Sequence, residues 1–247
     1  MNRVSLPALA LLAAASLGLA ACSGTATQAP GASASSAAAS AKAPAGDESK
    51  TTTDASLSAP KVQDKPSAPL KSLLLTGTQG SMNLTELPDA QTKQAGELVE
   101  QITSNIQIEP ENCRIPTPKE ASVSSSTGDF SVLVSVHDGP EYARLQLDHA
   151  KQCPTVSVSG QTKAQITKKA APGPQLPGLV SSGTVEITTK LESVIGDRKL
   201  NSETTRIVIV GEIRGLSVSA IASSLADEAP NKAAAEELFK AQVEKIA

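Results

Sequence analysis

The chain has 247 residues and a formal net charge of −3, with charge scattered along it, so it lacks the basic footprint of a nucleic-acid binder. Aromatic residues make up 1% of it: no Trp, one Tyr (Tyr142) and two Phe (Phe130 and Phe239). That excludes a site built on aromatic stacking and leaves the core to Val, Ile, Leu and Ala.

The first residues read MNRVSLPALALLAAASLGLAAC. Arg3 supplies a positive start, and the apolar run from Leu6 to Ala21 is short of the roughly 20 strongly apolar residues that a membrane helix needs. This is the pattern of a cleaved signal peptide over 1–21. Leu19-Ala20-Ala21-Cys22 resembles the bacterial lipobox. The resemblance implies that the Cys22 thiol receives diacylglycerol, that cleavage makes Cys22 the first residue, and that the protein sits on the outer face of the cell membrane. The expected anchor is lipid, since two or more acyl chains hold stably where one does not.

Residues 22–69 are dominated by Ala, Ser, Thr, Gly and Pro, with almost no side chain large enough for a core. Such a segment cannot offset its ordering entropy and reads as a disordered tether, with an rms reach of roughly 40 Å. Residues 70–247 then have the size of one domain.

Within that domain, Leu73-Leu74-Leu75 opens an apolar run, and Gly77-Thr78-Gln79-Gly80 reads as a turn. Ala95, Leu98, Val99 and Ile102 recur at helical spacing between Ala90 and Ser104. Phe130, Val132, Val134 and Val136 alternate as a strand, and Asp138 and Pro140 suit the start of a helix running to about Gln152. On that helix Tyr142, Leu145, His149 and Cys153 share a face. Strands are expected at Thr155–Ser159, Gly183–Val194, Glu203–Val210 and Ile213–Ile221, with a Pro/Gly-rich loop from Ala170 to Gly178. Gly211 and Gly215 flank the link between the last two strands as in a hairpin. A final helix starts near Asn231, with Ala235, Leu238, Phe239, Gln242, Val243 and Ile246 in one stripe and Glu236, Lys240 and Glu244 opposite. The expected fold is α+β: one antiparallel sheet packed against helices.

Cys113 and Cys153 remain once Cys22 is assigned to lipid. In an oxidising compartment the simplest expectation is a disulfide. The competing readings are a metal pair and a catalytic thiol, but no Cys-x-x-Cys or His-x-x-x-His supplies further ligands, and no metal or cofactor is expected. His137 and His149 are the only histidines and read as packing or surface residues. The Glu109/Glu111 and Asp227/Glu228 pairs read as solvated turns and caps, and Lys168-Lys169 as surface charge. No nucleophile elbow or phosphate loop is present, so no catalytic residue is assigned and the chain is not expected to be an enzyme.

These residues together resemble the exported actinobacterial family typified by the extracellular sensor domain of the mycobacterial kinase PknH. The resemblance rests on Leu87-Pro88-Asp89, on Pro110-Glu111-Asn112-Cys113, and on a strand–helix unit ending at Cys153. It extends through Arg214-Gly215 to Gln242-Val243-Glu244-Lys245-Ile246. It implies an α+β sensor-like module with a cleft. The expected function is a non-catalytic, ligand-binding envelope lipoprotein, its partner a lipid, a cell-wall fragment or an envelope protein; the alternative is a scaffold that docks to protein alone.

Overall fold

Valine, isoleucine and serine, alternating or in short runs, make strand the commonest state among the described residues. The computed structural model describes residues 64–91, 94, 106–114, 120–160, 163–195, 198–224 and 228–247. Cys22, the expected export segment, the expected linker up to residue 63 and most of the expected 90–104 helix lie outside them.

A single turn, α1 (Leu70–Leu73), leads to β1 (Gly77–Gln79), β2 (Met82–Glu86) and β3 (Gln107–Glu109). A 3₁₀ turn over Glu111–Cys113 precedes β4 (Ser122–Ser126), β5 (Val132–His137) and helix α2 (Glu141–Gln152). There follow β6 (Thr155–Ser159), β7 (Lys163–Pro172), β8 (Leu179–Ile195), β9 (Arg198–Ile213), β10 (Leu216–Ser223) and helix α3 (Lys232–Ile246). The strands form one ten-stranded sheet in the order β1-β2-β4-β5-β10-β9-β8-β7-β6-β3. Every neighbouring pair is antiparallel.

This overturns the α+β expectation, because the domain is dominated by its sheet. Among the described residues only α2 and α3 exceed one helical turn. Five strands escaped the sequence reading, β1, β2, β3, β4 and β7, since they are short or rich in Ser, Lys and Gln. The first of these occupies the stretch expected to be a turn, with only Gly80 in the bend.

The two sheet faces carry separate cores. Ile207, Ile209 and Ile213 of β9 join Val132, Val134, Val136, Val218 and Ala220 on the face that packs against Leu238, Phe239 and Val243 of α3. Val208 and Val210 point the other way and join Val156, Ile166, Val185 and Ile187 under α2. Burial on both faces explains the unbroken Ile207-Val208-Ile209-Val210 run in a strand that would otherwise alternate. Val, Ile, Leu and Ala dominate both cores as the composition implies, but Tyr142 and Phe239 each place one ring in a core as well.

Three local expectations are corrected. Phe130 is not in β5; it sits before it at φ 58° and is 60% exposed, in a bend where the Asp129 carboxylate accepts from the Thr127 hydroxyl and from the Ser131 amide. Gly211 lies within β9, and the hairpin turn is Arg214-Gly215, both at positive φ (49° and 70°) as a two-residue turn matched to sheet twist requires. Leu145 is only half-buried, and the residues of α2 that enter the core are Tyr142, Ala143, Leu147 and Ala150.

Candidate functional site

Helix α2 starts without a side-chain cap of its own. Its N-cap position is Pro140 rather than Asp138, and the free N–H groups of Glu141 and Tyr142 donate to the two carboxylate oxygens of Glu120 at 2.8 and 3.2 Å. A carboxylate there also complements the helix dipole. Gly139 makes room for it, since a Cβ at that position would lie 2.0 Å from Glu120 Oε1.

From that start α2 crosses β10, β9, β8 and β7, and polar side chains fasten it along the way. The Ala143 N–H donates to Ser217 Oγ at 3.1 Å in the interior. Arg144 makes a forked ion pair with Glu212 of β9, its Nη2 at 2.9 and 3.0 Å and its Nε at 3.2 Å from the carboxylate. Tyr142 stacks on His137 with ring centroids 3.8 Å apart and planes 10° from parallel. His137 is buried with neither ring nitrogen hydrogen-bonded. That environment suits only the neutral ring, and burial pushes its pKa down to about 3. Burial likewise pushes the Tyr142 phenol up to about 12, with the Ser219 hydroxyl pulling the other way.

At its far end α2 meets the disulfide. Cys113 and Cys153 are bonded as expected, with Cα atoms 5.7 Å apart. His149, one turn before Cys153, has its Nε2 2.9 Å from the Cys113 carbonyl and its Nδ1 2.5 Å from Lys168 Nζ. A carbonyl only accepts and an ammonium only donates, so the ring proton is on Nε2 and Nδ1 is the acceptor. Lys168 corrects the expectation of surface charge: it is 6% exposed, between Ile166 and Ala170 on the α2 face of β7, while Lys169 points to solvent. Burial pulls its ammonium down to about 8. His149 is lowered by burial and then by the Lys168 charge, against the raising effect of the Cys113 carbonyl.

A shallow, open groove lies over the other face of the sheet, between α3 and the β7–β8 connection. It holds about 660 Å³. Ala171, Pro172, Pro174 and Leu176 give it an apolar floor, and Lys232, Glu236, Glu237 and Lys240 of α3 form a rim of both charge signs. Lys232 and Glu236 lie 3.5 Å apart along the helix. The sequence showed Ala170 to Gly178 as a loop, of which Ala170 to Pro172 instead end β7, and it gave no sign that α3 would stand over it.

Glu109 and Glu111 border the Cys113 turn in exposed positions, and Asp227 is outside the described residues. Among the described residues no cluster of three potential metal ligands occurs, and no helix is long and apolar enough to cross a membrane. Glu120, Glu212 and Lys168 were missed by sequence reasoning. The signal available for Lys168 was its place in Ile166-Thr167-Lys168, in register with an apolar position of a strand.

No family model and no curated protein matches the chain. Among solved structures, a putative uncharacterised protein from Mycobacterium smegmatis, described as the Rv0999 ortholog, is similar at 13% identity and a TM-score of 0.36. That similarity covers 67% of this chain and 86% of the other.

Proposed function

We propose that this chain is a cell-envelope lipoprotein, anchored through Cys22, whose domain is a non-catalytic ligand-binding module. The cleft carries the reading. It is a shallow, open groove of about 660 Å³, and apolar side chains along its base with a few charged groups at the rim suit a ligand lying against the surface rather than one enclosed in it. The mixed rim favours a ligand with an apolar body and a polar or zwitterionic end, as in a lipid or a cell-wall fragment. The resemblance to PknH-type sensor domains points in the same direction.

The non-catalytic part rests on the two histidines. Both nitrogens of His149 are engaged, by Cys113 and Lys168, and His137 is enclosed in its stack with Tyr142, so neither is placed to move a proton on a bound molecule.

Native mass spectrometry of the mature protein taken gently from its own envelope tests this reading. The expected result is an excess mass over the lipidated chain that extraction removes and that Leu176→Glu abolishes while leaving the protein folded. A bare mass would overturn the ligand-binding reading and favour a scaffold that docks to an envelope protein. Replacing Cys22 by Ser should release the protein into the medium and end labelling by a fatty-acid probe.

A further inference from the structure

We infer that His149 and Lys168 form an acid-opened latch fastening the end of α2 to β7. The inference is independent of whether the cleft holds a ligand. A buried lysine and a half-buried histidine share one short contact, and among the described residues no carboxylate lies within ion-pair reach of either. A buried charge without an opposite charge is held only while its hydrogen bonds last. Here the neutral imidazole supplies that bond, and the same ring spends its only proton on the Cys113 carbonyl. Three elements, the 3₁₀ turn, α2 and β7, thus meet at one uncharged ring.

A second proton can enter His149 only at Nδ1, the atom that accepts from Lys168. Two cations 2.5 Å apart cannot share that site, so protonation displaces the lysine and breaks the link to β7. The surroundings offer little relief. Glu111 and Arg114 flank Cys113 with opposite signs, Asp148 and Lys151 do the same on α2, and the lysine is flanked on its own face of β7 by Ile166 and Ala170. Across the sheet Lys168 registers with the apolar Ile187 of β8, and Ile187 with the cation Arg206 of β9. The Nε2–H bond to Cys113 and the disulfide both survive that protonation, so the Cys113 turn stays on α2 and the opening is confined to the last turn of α2 and its contact with β7, where the Lys168 backbone N–H donates to the Pro154 carbonyl.

Hydrogen exchange of the mature lipoprotein in detergent, compared between pH 7.5 and 4.5 after correction for intrinsic rates, reads the latch directly. Protection of residues 150–153 and of Lys168 should fall at least tenfold on acidification, while 207–213 in the sheet centre holds. His149→Gln should abolish the fall, because its amide donates to Cys113, its carbonyl accepts from Lys168, and neither titrates. Lys168→Met should abolish it too, because Nδ1 then takes a proton without conflict; it serves if the glutamine variant does not fold. His137→Phe should keep it. Unchanged protection in the wild type, or an undiminished fall in His149→Gln or Lys168→Met, overturns the latch. So does a nitrogen-15 spectrum at pH 7.5 that places the His149 proton on Nδ1.

Discussion

His137 sits in its stack with Tyr142 with two ring nitrogens that bond to nothing, so its neutral form alone suits the site. In the unfolded chain the same ring titrates near its ordinary 6.5, against about 3 when folded. Above pH 6.5 the ring is neutral in both states and contributes no pH dependence. Between 6.5 and 3 the unfolded chain binds a proton that the folded one refuses, so stability falls with pH by up to roughly 1.4 kcal/mol per unit. His137→Phe keeps the stack and removes both unsatisfied atoms. Its urea midpoint should rise at pH 7.5, by about 1 kcal/mol of stability, and the loss between pH 7.5 and 4.5 should shrink. An acid loss as steep as in the wild type would assign that loss to other groups. Gln242 is the opposite case, a polar side chain fully buried and fully used. Its Oε1 accepts from Leu75 N–H at 2.7 Å and its Nε2 donates to the Leu73 carbonyl at 2.8 Å, completing the backbone of the opening segment. Gln242→Met leaves both backbone groups unpaired and should cost about 2 kcal/mol, read as a Tm lower by about 4–8 °C. The stripe of α3 that contains Gln242 was legible in the sequence. Its polar task was not, because nothing local says that residues 73–75 lie against residue 242.

At the scale of elements, each long helix is seated by a large side chain on a glycine of the sheet. Leu147 of α2 covers Gly183 of β8, where a Cβ would meet Leu147 Cδ2 at 2.2 Å. Phe239 of α3 covers Gly211 of β9, where a Cβ would meet the ring at 2.9 Å, Leu179 at 3.0 Å and the Ser181 carbonyl at 3.1 Å. Overpacking of this kind costs typically about 1–3 kcal/mol, and the two sites differ in what can yield. Gly183→Ala presses on the flexible end of a leucine, so adding Leu147→Ala should recover much of its loss in a double-mutant cycle. Gly211→Ala presses on a ring and a backbone carbonyl together, so Phe239→Leu should recover less. Equal recoveries would count against this account. The elements that could be read were those whose apolar residues keep a period, α2, α3 and the strands around Val134 and Ile187, or run unbroken, as around Ile209. The hidden ones break it for physical reasons. In β4, Ser124, Ser125 and Ser126 are buried, with Ser124 bonded to Ser135 at 2.8 Å and Ser125 donating to the Leu75 carbonyl at 2.6 Å. In β7 the inward position is a lysine held by a histidine. A glycine inside a strand looks like a turn until the helix that needs its flatness is known.

Across the whole sheet the chain makes one long excursion. It leaves β3 at one edge, runs β4 and β5 in the opposite half, and returns over β10, β9, β8 and β7 as α2 before laying β6 beside β3. The Cys113–Cys153 bond closes that excursion, joining residues 40 apart in sequence. In the unfolded chain such a closure removes conformational entropy equivalent to roughly 4 kcal/mol, a value that depends on the entropic model. The closure also has a local effect, because β3 is held to the sheet by only three residue pairs and would otherwise rest on those pairs, on Ile108 against the α2-side core and on the His149–Cys113 hydrogen bond. The Cys113→Ser/Cys153→Ser protein should therefore lose about 4 kcal/mol in urea unfolding. It should also lose protection at 107–114 even at pH 7.5, while the β5-β10-β9-β8 centre keeps its order of exchange. A stability loss spread evenly over the sheet, with β3 no worse than the centre, would show the bond acting on the unfolded chain alone. An unchanged midpoint would show that the ladder and α2 already fix the return path. The predicted pattern, global loss plus a local release at β3, follows only if the disulfide both shortens the unfolded chain and ties down the weakest edge of the sheet.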